Sequence, residues 1–338
     1  MHGGNRWAAA ARFGLPPERF IDFSANINPL GPPPGVRRAL QEAILRVEEY
    51  PEPEYLSLRQ TIADNAGVER ENVFVGNGAS EILQLWVAVH RPAEAVIFPP
   101  TYSEYARSVR AWGGEVIDGT AHPESKGEVV FCCNPNNPTG RLLPREEVLA
   151  LASRGKVLVV DESFLGFAGE DEGLSLRREA TYGKGIFVLV SLTKLYALPG
   201  LRLGYAISSK EAIRMLEEAA APWRVNVLAE AAGRAALADE NFRVLSRRVV
   251  ADERAYLTRE LARLPGIRVY PGTANFLLLR SPRADLGERL ARRGLLVRDC
   301  GNFLGLDAFH IRVAVRCREE NETLCRAMGE LLTEAAKS

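Results

Sequence analysis

The sequence predicts an α/β protein built around a mainly parallel sheet. Between about residues 73 and 208, short apolar runs alternate with stretches of helical periodicity, which is the pattern of strand–helix–strand crossovers. From about residue 209 the chain changes to a long helical pattern, followed by short strand-like runs and helix-like segments. The first pattern predicts a large domain with helices on both faces of its sheet. The second predicts a smaller α+β domain.

The strand candidates of the large domain are short, apolar and bounded by glycine, proline or charged residues. They are VFVG at 73–76, AVIF at 95–98, EVVFCC at 128–133, VLVV at 157–160 and FVLVS at 187–191. Amphipathic segments such as ASEILQLWVAVH lie between several of them and predict helices.

The domain boundaries follow from these changes of pattern. We expect the large domain to span residues 30–235 and the small domain to comprise residues 236–338 together with residues 1–29. The first 35 residues are rich in glycine, proline and asparagine. We therefore expect an irregular amino-terminal arm that runs over the surface and reaches the smaller domain.

Composition excludes several classes of partner. The 43 basic and 43 acidic residues leave no net charge, so we expect binding neither to nucleic acid nor to an anionic membrane surface. No apolar run reaches signal-peptide or membrane-spanning length, and we expect a cytoplasmic protein. The five cysteines lack CxxC spacing and the four histidines lie far apart, so we expect no disulfide framework and no metal site.

Several candidate functional stretches follow strand candidates of the predicted sheet, at the ends where open α/β sheets bind ligands. The turn in VFVGNGASEIL precedes a helix that begins near Ala79, which is either an anion site suited to a phosphate or only a tight turn. The loop NPNNPTG at 134–140 is rigid and rich in side-chain amides. Asp161 ends an apolar strand, where a carboxylate is costly to bury without a cation or a donor.

Lys194 lies in the apolar segment SLTKLYALPGLRLGY, and Arg202 follows it within reach of a turn. Such a lysine either extends its ammonium into water along an apolar surface or is kept desolvated as a nucleophile. A nucleophilic lysine needs a carbonyl, an anion site needs a phosphate, and Asp161 needs a protonated ring nitrogen. Pyridoxal phosphate has all three groups.

The motifs NPNNPTG, DES and SLTKLYALPGLRLGY, in this order, resemble those of the fold-type-I pyridoxal-phosphate enzymes in the class I/II aminotransferase superfamily. The resemblance implies the fold of that superfamily and pyridoxal 5'-phosphate as cofactor. It also implies that Lys194 binds the cofactor covalently, that Asp161 pairs with the ring nitrogen and that Asn137 bonds the ring hydroxyl. Tyr102 would stack on the cofactor ring, which makes Lys194, Asp161 and Tyr102 the predicted catalytic residues.

The same resemblance assigns residues to the cofactor phosphate and implies a homodimer. The phosphate would be held by the helix start at Gly78, Ala79 and Ser80, and by Ser191 and Arg202.

Tyr50, in EEYPEPEY, would reach that phosphate from the neighbouring subunit, so that two chains share each active site.

Within the superfamily the sequence resembles two families, the L-threonine-O-3-phosphate decarboxylases and the histidinol-phosphate aminotransferases. HGGN at 2–5, DFSANINPLGPP at 22–33 and LLVRDCGNFLGLDAFHIRVAVR at 295–316 favour the first family. Phe164 also favours it, since aminotransferases of this group usually carry tyrosine three residues after the aspartate. The expected reaction is decarboxylation of threonine phosphate, with transamination as the alternative and a non-catalytic cofactor-binding regulator as a third, disfavoured one.

The resemblance to the decarboxylases implies a phosphorylated amino-acid substrate held at both ends. His2, Gly3, Asn26 and Arg298 would contact its phosphate. Arg312, in HIRVAVR, would hold its α-carboxylate through a planar guanidinium, with Asn137 also at the substrate.

Overall fold

The computed structural model describes residues 3–169, 173–183 and 185–335. Its strands are β1 (Ile21–Asp22), β2 (Val73–Gly76), β3 (Glu94–Ile97), β4 (Glu115–Asp118), β5 (Gly127–Cys133), β6 (Gly155–Asp161), β7 (Ile186–Ser191), β8 (Gly204–Ile207), β9 (Arg268–Val269), β10 (Phe276–Arg280), β11 (Leu295–Leu296), β12 (Arg298–Asp299) and β13 (His310–Ala314).

Its α-helices are α1 (Arg6–Phe13), α2 (Pro34–Ala43), α3 (Leu56–Ala66), α4 (Ala79–His90), α5 (Glu104–Ala111), α6 (Arg145–Ala150), α7 (Arg177–Ala180), α8 (Leu192–Leu195), α9 (Lys210–Ala219), α10 (Val227–Leu237), α11 (Glu240–Ala262), α12 (Leu286–Arg292) and α13 (Arg318–Ala335).

Within these residues, a seven-stranded sheet with the order β2-β8-β7-β6-β5-β3-β4 forms the centre of the larger part of the chain. Strands β7, β6, β5, β3 and β4, in that order, run parallel to one another, whereas β8 runs antiparallel to both β2 and β7. The predicted α/β class with a mainly parallel sheet is confirmed. Strands β4 and β8 were not among the predicted strands, because EVID is charged at both ends and GYAI forms no long apolar run.

The central strands are apolar on both faces because helices cover both sides of the sheet. Val160 of β6 lies opposite Val188 of β7, and both belong to one hydrophobic core cluster. Their neighbours in sequence, Val159 and Phe187, pair in the same register but belong to the cluster on the other face. Each strand therefore contributes alternate residues to two cores, which holds its carboxyl end in a defined position.

The long helical pattern after residue 209 is divided into α9, α10 and α11 by capping residues. Asn226 begins α10, and its side chain accepts a hydrogen bond from the Ala229 amide. Asp239 begins α11 in the same way, with the Phe242 amide as donor. A side-chain acceptor at a helix start satisfies an amide that has no partner within the helix.

A second sheet, with the order β12-β13-β10-β9, is antiparallel. Strand β1 of the amino-terminal arm pairs with β11 beside it, and Arg12 of α1 forms an ion pair with Glu288 of α12 at 3.0 Å. The arm therefore contacts the carboxy-terminal part of the chain that is proposed as the smaller domain.

The expectation that the arm is wholly irregular is wrong, because residues 6–13 form helix α1. Asn5 caps this helix by accepting a hydrogen bond from the Ala8 amide, and Gly14 ends it at a φ of 71°.

The proposed domain bounds are unchanged. Residues 30–235 form the proposed large domain, and residues 236–338 together with residues 1–29 form the proposed small domain. Among the residues that the structure describes, no helix combines the length and the apolar composition needed to cross a membrane.

Candidate active site

The candidate site lies at one edge of the large sheet, where polar residues end adjacent strands. Cys133 of β5 lies opposite Asp161 at the end of β6. Gly204, at the start of β8, lies opposite both Ser191 at the end of β7 and Gly76 at the end of β2. Because β8 is antiparallel, its amino end meets the carboxyl ends of its neighbours. This edge is where open α/β sheets bind their ligands.

A cavity of about 370 Å³ opens at this edge, and most of the residues singled out from the sequence line it. They are Gly3, Asn26, Ala79, Ser80, Tyr102, Asn137, Asp161, Phe164, Ser191, Lys194, Arg202, Arg298 and Arg312.

Lys194 lies in the short helix α8, directly after the strand that ends at Ser191. The pKa of Lys194 is lowered to about 8 by burial and by the nearby guanidinium groups of Arg312 and Arg202, against the opposing effect of Asp161. A lysine with this pKa is partly neutral near pH 7, and the neutral amine is the nucleophilic form.

Asp161 is buried, with 7% of its surface exposed, and both of its carboxylate oxygens accept hydrogen bonds. The Tyr105 hydroxyl donates to Oδ2 at 2.7 Å, and the Ser163 amide donates to Oδ1 at 3.0 Å. These donors offset part of the cost of burying the charge. They also fix the carboxylate at the cavity wall, where it can face a cationic ring nitrogen.

The start of α4 lies beside the guanidinium of Arg202, an arrangement suited to an anion. Gly78 precedes the helix at a φ of 88°, and a Cβ on Gly78 would lie 2.6 Å from Arg202 Nη2. A Cβ on Gly204 would lie 2.6 Å from the Ala79 amide nitrogen. The absence of a side chain at Gly78 therefore lets the guanidinium approach the start of α4, and the absence of one at Gly204 lets strand β8 approach the Ala79 amide.

Ser191 and Tyr102 place further hydroxyl groups near this anion site. Ser191 Oγ lies 2.7 Å from Thr193 Oγ1, and the Ser191 amide donates to Ser163 Oγ at 3.0 Å. Ser80 Oγ lies 3.3 Å from the Tyr102 hydroxyl, and burial raises the pKa of Tyr102. The hydroxyl of Tyr102 is therefore protonated at neutral pH.

Arg312 also lines the cavity and is held there by several contacts. Its Nη2 donates to the Ser24 carbonyl at 3.0 Å, its Nη1 donates to Asn137 Oδ1, and its guanidinium lies 5.2 Å from the centre of the Phe276 ring. Burial lowers the pKa of Arg312 to about 10, so it stays cationic at neutral pH. A fixed, charged and planar group of this kind suits a carboxylate.

The amino-terminal arm and Arg298 complete the cavity. Gly3 packs so closely that a Cβ would lie 2.1 Å from the Ser24 carbonyl oxygen. Asn26 is buried, and its Oδ1 has no hydrogen-bond partner among the described residues. Arg298 donates to the Asp299 carbonyl at 2.5 Å and to Asn302 Oδ1 at 2.9 Å. This end of the cavity therefore presents polar groups that a ligand could satisfy.

Two of the described residues singled out from the sequence, Gly78 and Tyr50, do not line the cavity. His2 lies outside the described residues. Gly78 lies beside the cavity and shapes it through Arg202. The side chain of Tyr50 is 76% exposed and packs against Trp223, with 4.4 Å between ring centres.

Sequence reasoning missed Tyr105 and Ser163, which hold Asp161. Ser163 ends the DES motif, and Tyr105 ends the segment PPTYSEY, which contains Tyr102. The available signal was proximity in the sequence, because Tyr105 and Ser163 stand three and two positions after the predicted residues Tyr102 and Asp161. Tyr105 follows Tyr102 by three positions at the start of α5, and the two rings lie edge to face, 5.5 Å apart.

Pyridoxal phosphate fits this set of residues. Because Gly78 has no side chain, the positive charge of Arg202 lies close to the start of α4, where it can attract a phosphate. The buried carboxylate of Asp161 suits a protonated ring nitrogen. Lys194 supplies an amine of lowered pKa in the same cavity. When bound, the cofactor supplies an electron-withdrawing ring that stabilises negative charge on an attached amino acid.

Comparison with known proteins agrees with this fit. The family model for aminotransferases of class I and II matches residues 18–328. Threonine-phosphate decarboxylase of Salmonella typhimurium is 38% identical, over 98% of this chain and 96% of that protein. Histidinol-phosphate aminotransferase 2 of Archaeoglobus fulgidus is 32% identical, over 94% of this chain and 96% of that protein.

The fold is also that of a solved relative with the cofactor bound. Histidinol-phosphate aminotransferase from Sinorhizobium meliloti, in complex with pyridoxal-5'-phosphate, has a TM-score of 0.89 and 22% identity, and the match covers 99% of this chain and 96% of that one. From the family match, the full-length relatives and the shared fold, we conclude that this chain belongs to the class I and II aminotransferase family and is a pyridoxal-phosphate-dependent enzyme.

Proposed function

We propose that this enzyme decarboxylates L-threonine O-3-phosphate to (R)-1-amino-2-propanol phosphate, a step of cobalamin synthesis. The observation that carries the proposal is the apolar cavity wall at Phe164. Its ring is 95% buried and meets the Phe276 ring edge to face, with 5.0 Å between ring centres. The hydroxyl that aminotransferases of this group usually place here is missing. The similarity to the Salmonella typhimurium decarboxylase supports the same conclusion.

The charges of the cavity support a substrate with an anion at each end. Arg312 is held by Asn137 and Ser24 and is proposed to bind the α-carboxylate. Arg298 is held by Asn302 and is proposed to bind the substrate phosphate, with Asn26 beside it. Charge-assisted bonds from a guanidinium to a carboxylate or a phosphate are among the strongest hydrogen bonds in proteins.

Other residues are proposed to hold the cofactor. Lys194 would bind it covalently, and Asp161 would keep a proton on its ring nitrogen. Asn137 would bond its ring hydroxyl and Tyr102 would stack on its ring. The phosphate of the cofactor would be held by Gly78, Ala79, Ser80, Ser191 and Arg202.

Lys194 has a second proposed role during turnover. Loss of carbon dioxide leaves the substrate's Cα in need of a proton. With a pKa of about 8, Lys194 Nζ can carry a proton at neutral pH and release it readily. The rings of Phe164 and Phe303 line the same cavity and limit the access of water to Cα.

We further propose a homodimer in which Tyr50 of one chain reaches the cofactor phosphate of the other. The exposed Tyr50 ring lies beside Trp223, which is also 43% exposed. An exposed aromatic pair of this kind is typical of a surface that another protein covers.

A paired assay tests the proposed reaction. One sample contains the enzyme with threonine phosphate alone, and the other contains histidinol phosphate with 2-oxoglutarate. We expect carbon dioxide and aminopropanol phosphate in the first sample, and no steady glutamate formation in the second. The opposite result would replace the decarboxylase with the aminotransferase.

The role of Arg298 has its own control. Arg298→Ala should weaken binding of the phosphorylated substrate by about 2 to 5 kcal/mol, the usual cost of removing one partner of a desolvated charge pair. Arg263→Ala serves as the matched control because Arg263 pairs with Glu260 at the exposed end of α11. Equal KM values for the two variants would exclude Arg298 from the phosphate site.

A further inference from the structure

Tyr105 is a buried residue whose hydroxyl the proposed function leaves unexplained. Its side chain is 1% exposed, and its ring lies parallel to that of Phe131 with 5.3 Å between centres and 6° between planes. A phenylalanine would fill this apolar slot equally well. Burying a hydroxyl costs free energy unless it forms a hydrogen bond, so the packing of the ring does not explain why a tyrosine occupies this position.

The Tyr105 hydroxyl contacts the residue proposed to pair with the cofactor ring. It donates to Asp161 Oδ2 at 2.7 Å, while the Ser163 amide donates to Oδ1. Burial, and next the charge of Asp161, raise the pKa of Tyr105 well above its ordinary value, so the hydroxyl remains a donor. Two donors at the two oxygens restrict rotation of the carboxylate, which is otherwise broad.

Tyr105 also contacts the residue proposed to stack on the cofactor. Its ring lies edge to face with that of Tyr102, at 5.5 Å between centres and 81° between planes. One side chain of α5 therefore touches both the group expected at the ring nitrogen and the group expected over the ring.

We propose that Tyr105 is a positioning residue for the cofactor, and that its hydroxyl aligns the Asp161 carboxylate with the ring nitrogen while its ring supports Tyr102. The inference rests on the role of Asp161 in the proposed function, and it holds for decarboxylation and transamination alike. The hydroxyl acts through Asp161, so its effect must disappear when the carboxylate is removed. If the hydroxyl served only to stabilise the fold, its removal would have the same effect whether or not the Asp161 carboxylate was present.

The test measures binding of pyridoxal phosphate to the full chain freed of cofactor, by fluorescence quenching and by visible circular dichroism of the bound cofactor. The variants are Tyr105→Phe, Asp161→Asn and the double variant. Tyr55→Phe is the matched control, because Tyr55 is also fully buried and its hydroxyl accepts a hydrogen bond from the Val225 amide outside the cavity. Melting of each cofactor-free protein reports any change in folding.

We expect Tyr105→Phe to bind the cofactor about tenfold or more weakly and to change its visible dichroism, as for loss of a hydrogen bond to a charged group. Tyr55→Phe should bind like the wild type. Asp161→Asn should bind more weakly still, and adding Tyr105→Phe to it should have no further effect, which is the signature of coupled residues.

The inference is overturned if Tyr105→Phe binds pyridoxal phosphate with an affinity within twofold of the wild type. It is also overturned if the double variant loses affinity by the product of the two single-variant factors. An Asp161→Asn protein that binds like the wild type would instead overturn the role of Asp161, and the inference with it. Should Tyr105→Phe fail to fold, the double variant, which lacks the buried charge, decides the question. Recovery of folding supports the coupling, and continued failure shows a purely structural tyrosine.

Discussion

Adding one methyl group at Gly78 tests how the anion site is built. Gly78 precedes α4 at φ 88° and ψ 158°, a backbone region that is essentially restricted to glycine. The Cβ of an alanine would lie 2.6 Å from Arg202 Nη2. Arg202 has a flexible side chain, so its guanidinium should move away while the backbone stays in place.

The expected effect has two separable parts. Backbone strain of this kind costs on the order of 1 to 3 kcal/mol of folding stability. Displacement of the guanidinium removes a charge-assisted bond to the cofactor phosphate, worth about 1.5 to 3 kcal/mol. At about 1.4 kcal/mol for each factor of ten, the second part weakens cofactor affinity by roughly 10-fold to 100-fold.

Urea unfolding of the cofactor-free protein measures the first part, and titration with pyridoxal phosphate measures the second. Gly35→Ala is the matched control, since Gly35 lies in α2 and a Cβ there would have no atom within 4 Å. The control should bind the cofactor normally and should gain up to about 1 kcal/mol in stability from helix propensity.

Unchanged cofactor affinity in Gly78→Ala, alongside the expected loss of stability, would refute the reasoning. It would mean that the guanidinium of Arg202 does not hold the phosphate.

Three other predictions concern Lys194, the subunit interface and the arm. Because its pKa is lowered from 10.5 to about 8, Lys194 destabilises the cofactor-free protein below pH 8, and this penalty disappears as the pH rises to 10.5. Lys194→Met should therefore stabilise that protein by roughly 3 kcal/mol at pH 7 and hardly at all near pH 10.5; equal gains in urea unfolding at both pH values would contradict this. Mixed Tyr50→Phe and Lys194→Ala chains should regain part of the activity through heterodimers, and no recovery after proven subunit exchange would count against shared sites. Deleting residues 1–5 should raise the KM for the phosphorylated substrate while cofactor affinity stays nearly constant; an unchanged KM would remove the arm from the site.

Much of the fold was predictable because it depends on local patterns. The apolar runs that became β2, β3, β5, β6 and β7 are short, rich in β-branched and aromatic residues and bounded by turn or charged residues, which is the local pattern typical of strands. The prediction failed where pattern was weak. Strand β4 (EVID) is charged at both ends, and β8 (GYAI) begins with glycine and has no long apolar run. Helix α1 has eight residues and lies inside a segment rich in helix-breaking types.

The sequence by itself determined that Asp161 and Lys194 would gather at one edge of the sheet, because each ends or follows a predicted strand and parallel strands end together. Arg202 joins them because β8, which was not predicted, runs antiparallel and begins at that edge. Only the tertiary structure decided which atoms meet there. Tyr105 reaches Asp161 from 56 residues away, and Arg312 reaches Asn137 from 175 residues away. Strand order, register and the packing of helices on the sheet set such contacts, and none of these is encoded in the period of any one segment.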